Sequence, residues 1–248
     1  MSTVYLNGKY TSSDLAFIPI HDRGFLFGDG VFTTLRVQDG IPQHIDRHIE
    51  RLQSQCRQLN IIAPQISPTI FHELIALNYA QKGIWRMKVM ITRAGDSSLH
   101  LPERKAGTIL ITLDPYLSEN KPALYLSIYP FPLHTQFSRV KTLSYLDRLA
   151  VKQYAMNQNT DDAIVCNENG EVLESSFSNL YWIHENILFT PAFTSPLFKG
   201  ITLSEIIETS DIPVKECMCR PEEIPSEAKI FLCNSLTGSV PVKKIKAG

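Results

Sequence analysis

The stretch SRVKTLSYLDRLA, residues 138–150, sets Lys141 between extended-looking backbone at Arg139 and Val140 and a run in which Leu143, Leu146, Leu149 and Ala150 recur at helical spacing. Position alone gives Lys141 the ordinary reading of a lysine flanking a helix, because lysine is usually exposed. A catalytic amine would need desolvation or neighbouring positive charge to bring its pKa below the usual value of about 10.4. Which reading holds depends on what the rest of the chain brings with it.

The 248 residues are 44% hydrophobic, enough for one large domain or two modest ones. With 24 basic against 25 acidic residues and no block of like charge, the chain has neither a nucleic-acid footprint nor a membrane-attracting face, so a small molecule is the expected partner. MSTVYLNGKYTSSDL lacks the basic and apolar regions of a signal peptide, and no apolar run reaches the about 20 residues of a membrane helix. A cytoplasmic protein is expected. Five cysteines stand at irregular spacing, and Cys217-Met218-Cys219 has no second pair to complete a zinc site, so reduced thiols and no metal are expected.

Working outward along the chain, Asn7-Gly8 between VYL and KYT predicts a hairpin, and Asp39-Gly40 predicts a second one after VFTTLRV. Alternation in that strand puts Phe32, Thr34 and Arg36 on one face and Val31, Thr33 and Leu35 on the other. Ile45, Ile49, Leu52, Cys56 and Leu59 form a helical seam, with His44, His48 and Arg51 on the stripe beside it. Ser67-Pro68 predicts the start of a second helix, which should run toward Gly83. IWRMKVMIT, ending at Arg93, and then GTILITL and ALYLSIYPF read as strands around the polar loop DPYLSENKP, the expected domain boundary. Further strands follow in DDAIVCNENGEVLESSFSNLYWIHENILFTP, then a helix near Ile201 and a closing strand, KIFLCNS. Strands with segregated helices argue an α+β fold in two domains, 1–117 and 118–248.

Several pieces carry possible chemistry, and each has an ordinary alternative. Ile201 and Thr202 follow a glycine at a helix start, where unpaired N–H groups favour an anion, or are simply capped. Ser235-Leu236-Thr237-Gly238 suits an amide nest or an ordinary turn. Glu174 and Asn179 lie in a strand rich in small polar residues, and a buried carboxylate there needs a partner. FGDGVF lacks the third glycine and the strand-turn-helix context of a nucleotide-binding loop, so that reading is rejected.

Taken in order, FGDGVFTTLRV, HIERL, ITRAG, RVKTLSYL, GEVLESSFSNLYW, GIT and CNSLTGSVPV resemble the fold-type IV pyridoxal phosphate enzymes. That family includes branched-chain and D-amino-acid aminotransferases and 4-amino-4-deoxychorismate lyase, and the resemblance spans almost the whole chain. It implies a D-amino-acid aminotransferase-like fold, pyridoxal 5'-phosphate as cofactor and a homodimer. It also implies a Schiff base at Lys141, which doubles as the acid/base, and Glu174 at the pyridine nitrogen. The phosphate falls to Arg51, Ile201, Thr202, Ser235, Leu236 and Thr237. Phe32, Thr34, Arg36 and Arg93 would face the substrate, where guanidinium groups suit its carboxylates. GDGVFTTLR is similar to the lyases of folate biosynthesis, which release 4-aminobenzoate and pyruvate. KTLSYL is closer to the aminotransferases, so transamination of D- or branched-chain amino acids stays open, as does a cofactor-holding relative without turnover.

Overall fold

The computed structural model describes residues 2–101, 107–117, 121–133 and 135–246, which divide into two compact units, Met1–Ser118 with Val140–Ser144, and Glu119–Arg139 with Tyr145–Gly248. The expected division at 117/118 therefore needs one correction: five residues around Lys141 belong with the first unit. Hydrogen bonding accounts for this. Phe32 N–H donates to the Lys141 carbonyl at 2.9 Å, Leu143 N–H donates to Gly30 at 2.9 Å, and Thr142 bridges to Val31.

In the first unit, β1 (Thr3–Leu6) and β2 (Lys9–Ser12) form the expected hairpin, with Asn7 and Gly8 at φ 48° and 90°. A short helix not foreseen in the sequence, α1 (Arg23–Phe27), follows, capped by the Asp22 carboxylate, which accepts from Gly24 and Phe25 N–H. Then come β3 (Gly30–Gln38), β4 (Ile41–Pro42), α2 (Ile45–Gln58), α3 (Pro68–Leu77), β5 (Ile84–Thr92) and β6 (Ile109–Pro115). The strands make one antiparallel sheet in the order β2-β1-β6-β5-β3-β4. Val31, Leu35 and Val37 alternate into a core shared with Met87, Val89 and Ile91 of β5 and with Leu52, Cys56, Phe71 and Leu74 of α2 and α3. The helix at Pro68 stops at Leu77, short of Gly83. Asn78 explains the stop: its amide accepts from Thr3 N–H and donates to the Thr3 carbonyl, tying the helix end to β1, and Tyr79 then turns to φ 54°.

In the second unit, β7 (Leu124–Ile128), α4 (Leu146–Asn157), β8 (Asp162–Cys166), β9 (Val172–Ser175), β10 (Asn179–His184), β11 (Ile187–Pro191), α5 (Ile201–Glu208), β12 (Val214–Cys217), β13 (Lys229–Asn234) and β14 (Gly238–Ile245) succeed one another. Their sheet runs β12-β11-β10-β13-β14-β7-β8-β9, and β9 pairs back onto β10, closing six strands into a barrel. The closing pair is Glu174 opposite Asn179. Leu126, Ile164, Leu180, Trp182 and Leu232 share one core, while Ala163 and Val165 point the other way, to α4. That contact sets the buried face of α4 at Val151 and Ala155, and Leu146 and Leu149 are exposed, contrary to the spacing read from the sequence. Strands β12 and β14 were also missed; Pro241 and two lysines disguise β14, although it pairs with both β13 and β7. No helix among the described residues is long and apolar enough to cross a membrane.

Candidate functional site

In the first unit, Lys141 is half-buried rather than solvated, and its Nζ stands 4.8 Å from the centre of the Phe32 ring. Two glycines make room for its segment. A Cβ on Gly28 (φ +66°) would lie 2.3 Å from Ser144 Oγ and 2.9 Å from Ser144 N, and one on Gly30 would lie 2.5 Å from the Ile91 carbonyl and 2.6 Å from Leu143 Cδ1. The FGDG stretch thus serves close backbone approach by residues 140–144.

Beneath β3, on its core side, Thr33 Oγ1 accepts from Arg51 Nη2 at 2.8 Å and lies 2.7 Å from His48 Nδ1. Both His48 and Thr33 are buried. Burial, then the charge of Arg51, His44 and Lys141, push His48 down to about 2, and burial brings Arg51 down to about 10. Spacing alone had put His48 and Arg51 on a flanking stripe; a neutral histidine and a guanidinium sharing one threonine is the arrangement found.

On the other face of β3, Phe32, Thr34 and Arg36 do align, and the register sets Thr34 opposite Lys88 and Arg36 opposite Arg86. Lys88 went unnoticed in the sequence, where WRMKVM reads only as an alternating strand. Its Nζ is 4.6 Å from the Phe32 ring centre, so two ammonium groups approach one aromatic ring. Burial, with Arg86 adding to it, lowers the Lys88 pKa.

Arg93 is not on that face. Its Nε donates to both Asp29 oxygens at 3.1 and 2.9 Å, Nη1 to the Asn60 carbonyl at 2.9 Å and Nη2 to Leu59 at 2.6 Å. These carbonyls lie just past the end of α2, so the guanidinium caps that helix and the expected substrate contact is corrected to a structural one.

In the second unit, Glu174 is buried on β9, and Arg148 of α4 donates to its Oε1. Residues flanking the Lys141 excursion are fixed here too. Arg139 Nη2 donates to the Thr194 carbonyl at 2.5 Å, and Tyr145 stacks on Phe177 with ring centres 5.6 Å apart. Burial pushes Tyr145 up to about 12. Neither Arg148 nor Tyr145 carried a signal in sequence beyond nearness to Lys141.

Asn179 prepares the start of α5: its Oδ1 accepts from Gly200 N–H at 2.9 Å and its Nδ2 donates to the Phe198 carbonyl at 2.6 Å. A Cβ on Gly200 would lie 2.4 Å from that Oδ1. No side chain among the described residues caps α5, which leaves the N–H groups at Ile201 and Thr202 to another acceptor. Of the two readings open for Ser235–Thr237, the hydrogen bonds are those of a turn closed by its own side chain: Leu236 and Thr237 N–H both donate to Asn234 Oδ1, at 2.9 and 3.0 Å. What it offers is the Ser235 and Thr237 hydroxyls.

A family model described as amino-transferase class IV matches residues 30–245. The chain is 28% identical over 254 residues to a Methanocaldococcus jannaschii protein provisionally named a branched-chain-amino-acid aminotransferase, covering 98% of this chain and 87% of that one. It is 27% identical over 254 residues to the aminodeoxychorismate lyase of Bacillus subtilis, covering 98% and 86%. Among solved structures, a T.th. branched-chain amino acid aminotransferase complexed with N-(5'-phosphopyridoxyl)-L-glutamate superposes with a TM-score of 0.86 at 16% identity, covering 98% of this chain and 85% of that one. The two units thus reproduce the fold-type IV architecture, and the chain belongs to the class IV amino-transferases, a family dependent on pyridoxal phosphate.

Proposed function

We propose that this protein is a pyridoxal-phosphate-dependent 4-amino-4-deoxychorismate lyase that yields 4-aminobenzoate and pyruvate. The residues present fit the cofactor: α5 starts uncapped behind Gly200, and the Ser176 hydroxyl, two residues beyond Glu174, is buried without a hydrogen-bond partner among the described residues. Lys141 would hold the cofactor covalently and Glu174 would accept from its ring nitrogen. Arg51, the N–H groups of Ile201 and Thr202, and the Ser235 and Thr237 hydroxyls would hold the phosphate, with Leu236 shaping the turn between them. When bound, pyridoxal phosphate supplies an electron sink for the charge left as a C–H bond breaks at the amine-bearing carbon. Lys141 removes that proton, and its approach to the Phe32 ring keeps the amine on the face that carries Thr34.

The observation that carries the lyase reading is that same face, where Thr34, Arg36, Arg86 and Lys88 lie on the Phe32 side of the β3–β5 pair, Lys88 against the ring and Arg86 paired with Asp114 at 3.4 Å. A substrate with two carboxylates suits this concentration of cations, and Thr34 adds a hydroxyl among them. The test is to supply 4-amino-4-deoxychorismate to the reconstituted protein without any keto acid. 4-Aminobenzoate is the expected product. Its absence, together with amino-group transfer to 2-oxoglutarate, overturns the lyase in favour of the second reading, an aminotransferase for D- or branched-chain amino acids, which the KTLSYL spelling favours. A colourless protein with no borohydride-trapped adduct at Lys141 overturns both and leaves a relative without turnover.

Assembly as a homodimer is part of the same proposal. Leu15, Phe17, Ile20, Phe25 and Phe27 are exposed within thirteen residues, an apolar stretch suited to cover by a second copy. Sedimentation that finds only monomer would remove this element.

A further inference from the structure

The second unit holds a thiol pair that the proposed reaction does not use. Cys217 ends β12, the edge strand of the eight-stranded sheet, and Cys219 follows two residues on; side chains two apart at a strand exit share one face. Both are half-buried and pack against the same apolar cluster, and Cys217 Sγ donates to the Thr190 carbonyl at 3.8 Å. Cys166, buried at the end of β8, packs in the same cluster. All five cysteines of the chain are free thiols.

We propose that Cys217 and Cys219 form an oxidative modification site, a dithiol that reacts with a hydroperoxide and closes to an intrachain disulfide. Once Cys217 gives up its proton, and with it the bond to Thr190, the neighbouring Cys219 S–H can stabilise the charge; the pKa of Cys217 is lowered by Cys219 and that of Cys219 is raised, so Cys217 is the attacking sulfur. Its thiolate attacks a peroxide oxygen: an S–O bond forms, the O–O bond breaks, and the departing oxide takes a proton to leave as water or an alcohol. Cys219 then attacks the Cys217 sulfenic acid; the S–S bond forms, the S–O bond breaks, and hydroxide leaves as water with the Cys219 proton. Two thiols lose two electrons in all, and the peroxide gains them.

Closing the ring has a backbone consequence. Two residues of strand span about 6.6 Å, at the far end of the Cα separation a disulfide accepts, so closure bends the chain at the exposed Met218. The carbonyls on either side of Met218 are both in use. Cys217 accepts from Ala192 N–H at 2.9 Å and Cys219 from Val172 N–H at 2.8 Å. Val172 opens β9, the strand of Glu174, so oxidation loosens the outer hold on that strand, and the strain makes the bond easy to reduce again.

The test uses full-length holoprotein treated with hydrogen peroxide, alkylated, and mapped by mass spectrometry. The expected result is loss of the mass of two hydrogens, protection of Cys217 and Cys219 together, and full reversal by dithiothreitol. Cys219→Ser should leave a dimedone-reactive sulfenic acid at Cys217, and Cys166→Ser should oxidise as wild type does. Hydrogen exchange at the Val172 amide should rise about tenfold on oxidation and not at all in Cys217→Ser. A disulfide joining Cys166 to Cys219, or both thiols of the pair still open to alkylation, overturns the site; unchanged exchange at Val172 overturns its coupling to β9. None of these readouts depends on the reaction the enzyme performs.

Discussion

Replacing Arg93 separates its structural role from the substrate contact that its position after the ITR strand suggested. In Arg93→Met, Asp29 keeps only the Arg23 contact at 2.8 Å, and the carbonyls of Leu59 and Asn60 lose the donors that cap α2. Breaking a buried pair of this kind costs about 3–5 kcal/mol. With a urea m-value of about 3 kcal/mol/M for a chain of this size, the unfolding midpoint should fall by about 1–1.7 M. Arg93→Lys keeps a charge near Asp29 but cannot fork to three acceptors, so an intermediate loss is expected. The assay is urea unfolding followed by circular dichroism, paired with KM measured on the folded variant well below its midpoint. The reasoning predicts a lower midpoint with KM within about twofold of wild type. An unchanged midpoint with KM raised tenfold would refute it and return Arg93 to the substrate.

Three further outcomes follow from the same geometry. Lys88→Met should raise KM for a dicarboxylate substrate by about tenfold or more, the worth of one charge-assisted hydrogen bond, and leave a monocarboxylate amine donor nearly unaffected; equal losses on both would argue against a carboxylate contact. His48 stays neutral in the folded protein down to about pH 2 while its unfolded form takes a proton near pH 6.5, so stability should fall by up to about 1.4 kcal/mol per pH unit as pH drops below about 6.5. His48→Gln should flatten that slope in urea melts at pH 5 and 6.5, and a slope unchanged from wild type would show that other groups cause it. Gly28→Ala meets both a φ of +66° and the Ser144 backbone, so borohydride trapping at Lys141 should drop severalfold even where circular dichroism shows a folded chain; undiminished trapping would mean the segment tolerates the shift.

What the sequence made legible was local and periodic. Asn7-Gly8 and Asp39-Gly40 place both hairpins because their φ values are intrinsic to those residue types, and the β3 alternation gives the correct faces for Phe32, Thr34 and Arg36. Tertiary pairing was not legible. Leu146 and Leu149 looked like a buried seam until β8 offered Ala163 and Val165 to a different stripe of α4. Arg93 and Lys88 sit five residues apart in one stretch, and nothing in IWRMKVMITR tells which cation meets Asp29 and which meets an aromatic ring. His48 and Arg51 were found on the correct helix, yet the threonine that joins them comes from a strand eighteen residues before Arg51.

The excursion of residues 140–144 also bears on how such a chain can be divided. A cut between residues 117 and 118 looks like the natural place to separate two modules, but the downstream piece would carry Lys141 away from the β3 backbone that fixes it. Neither half could then be exchanged for a homologous half by itself. Recombination between relatives should succeed only where β3 and the 140–144 segment travel together, making these two short stretches, roughly a hundred residues apart in the chain, a single unit of inheritance.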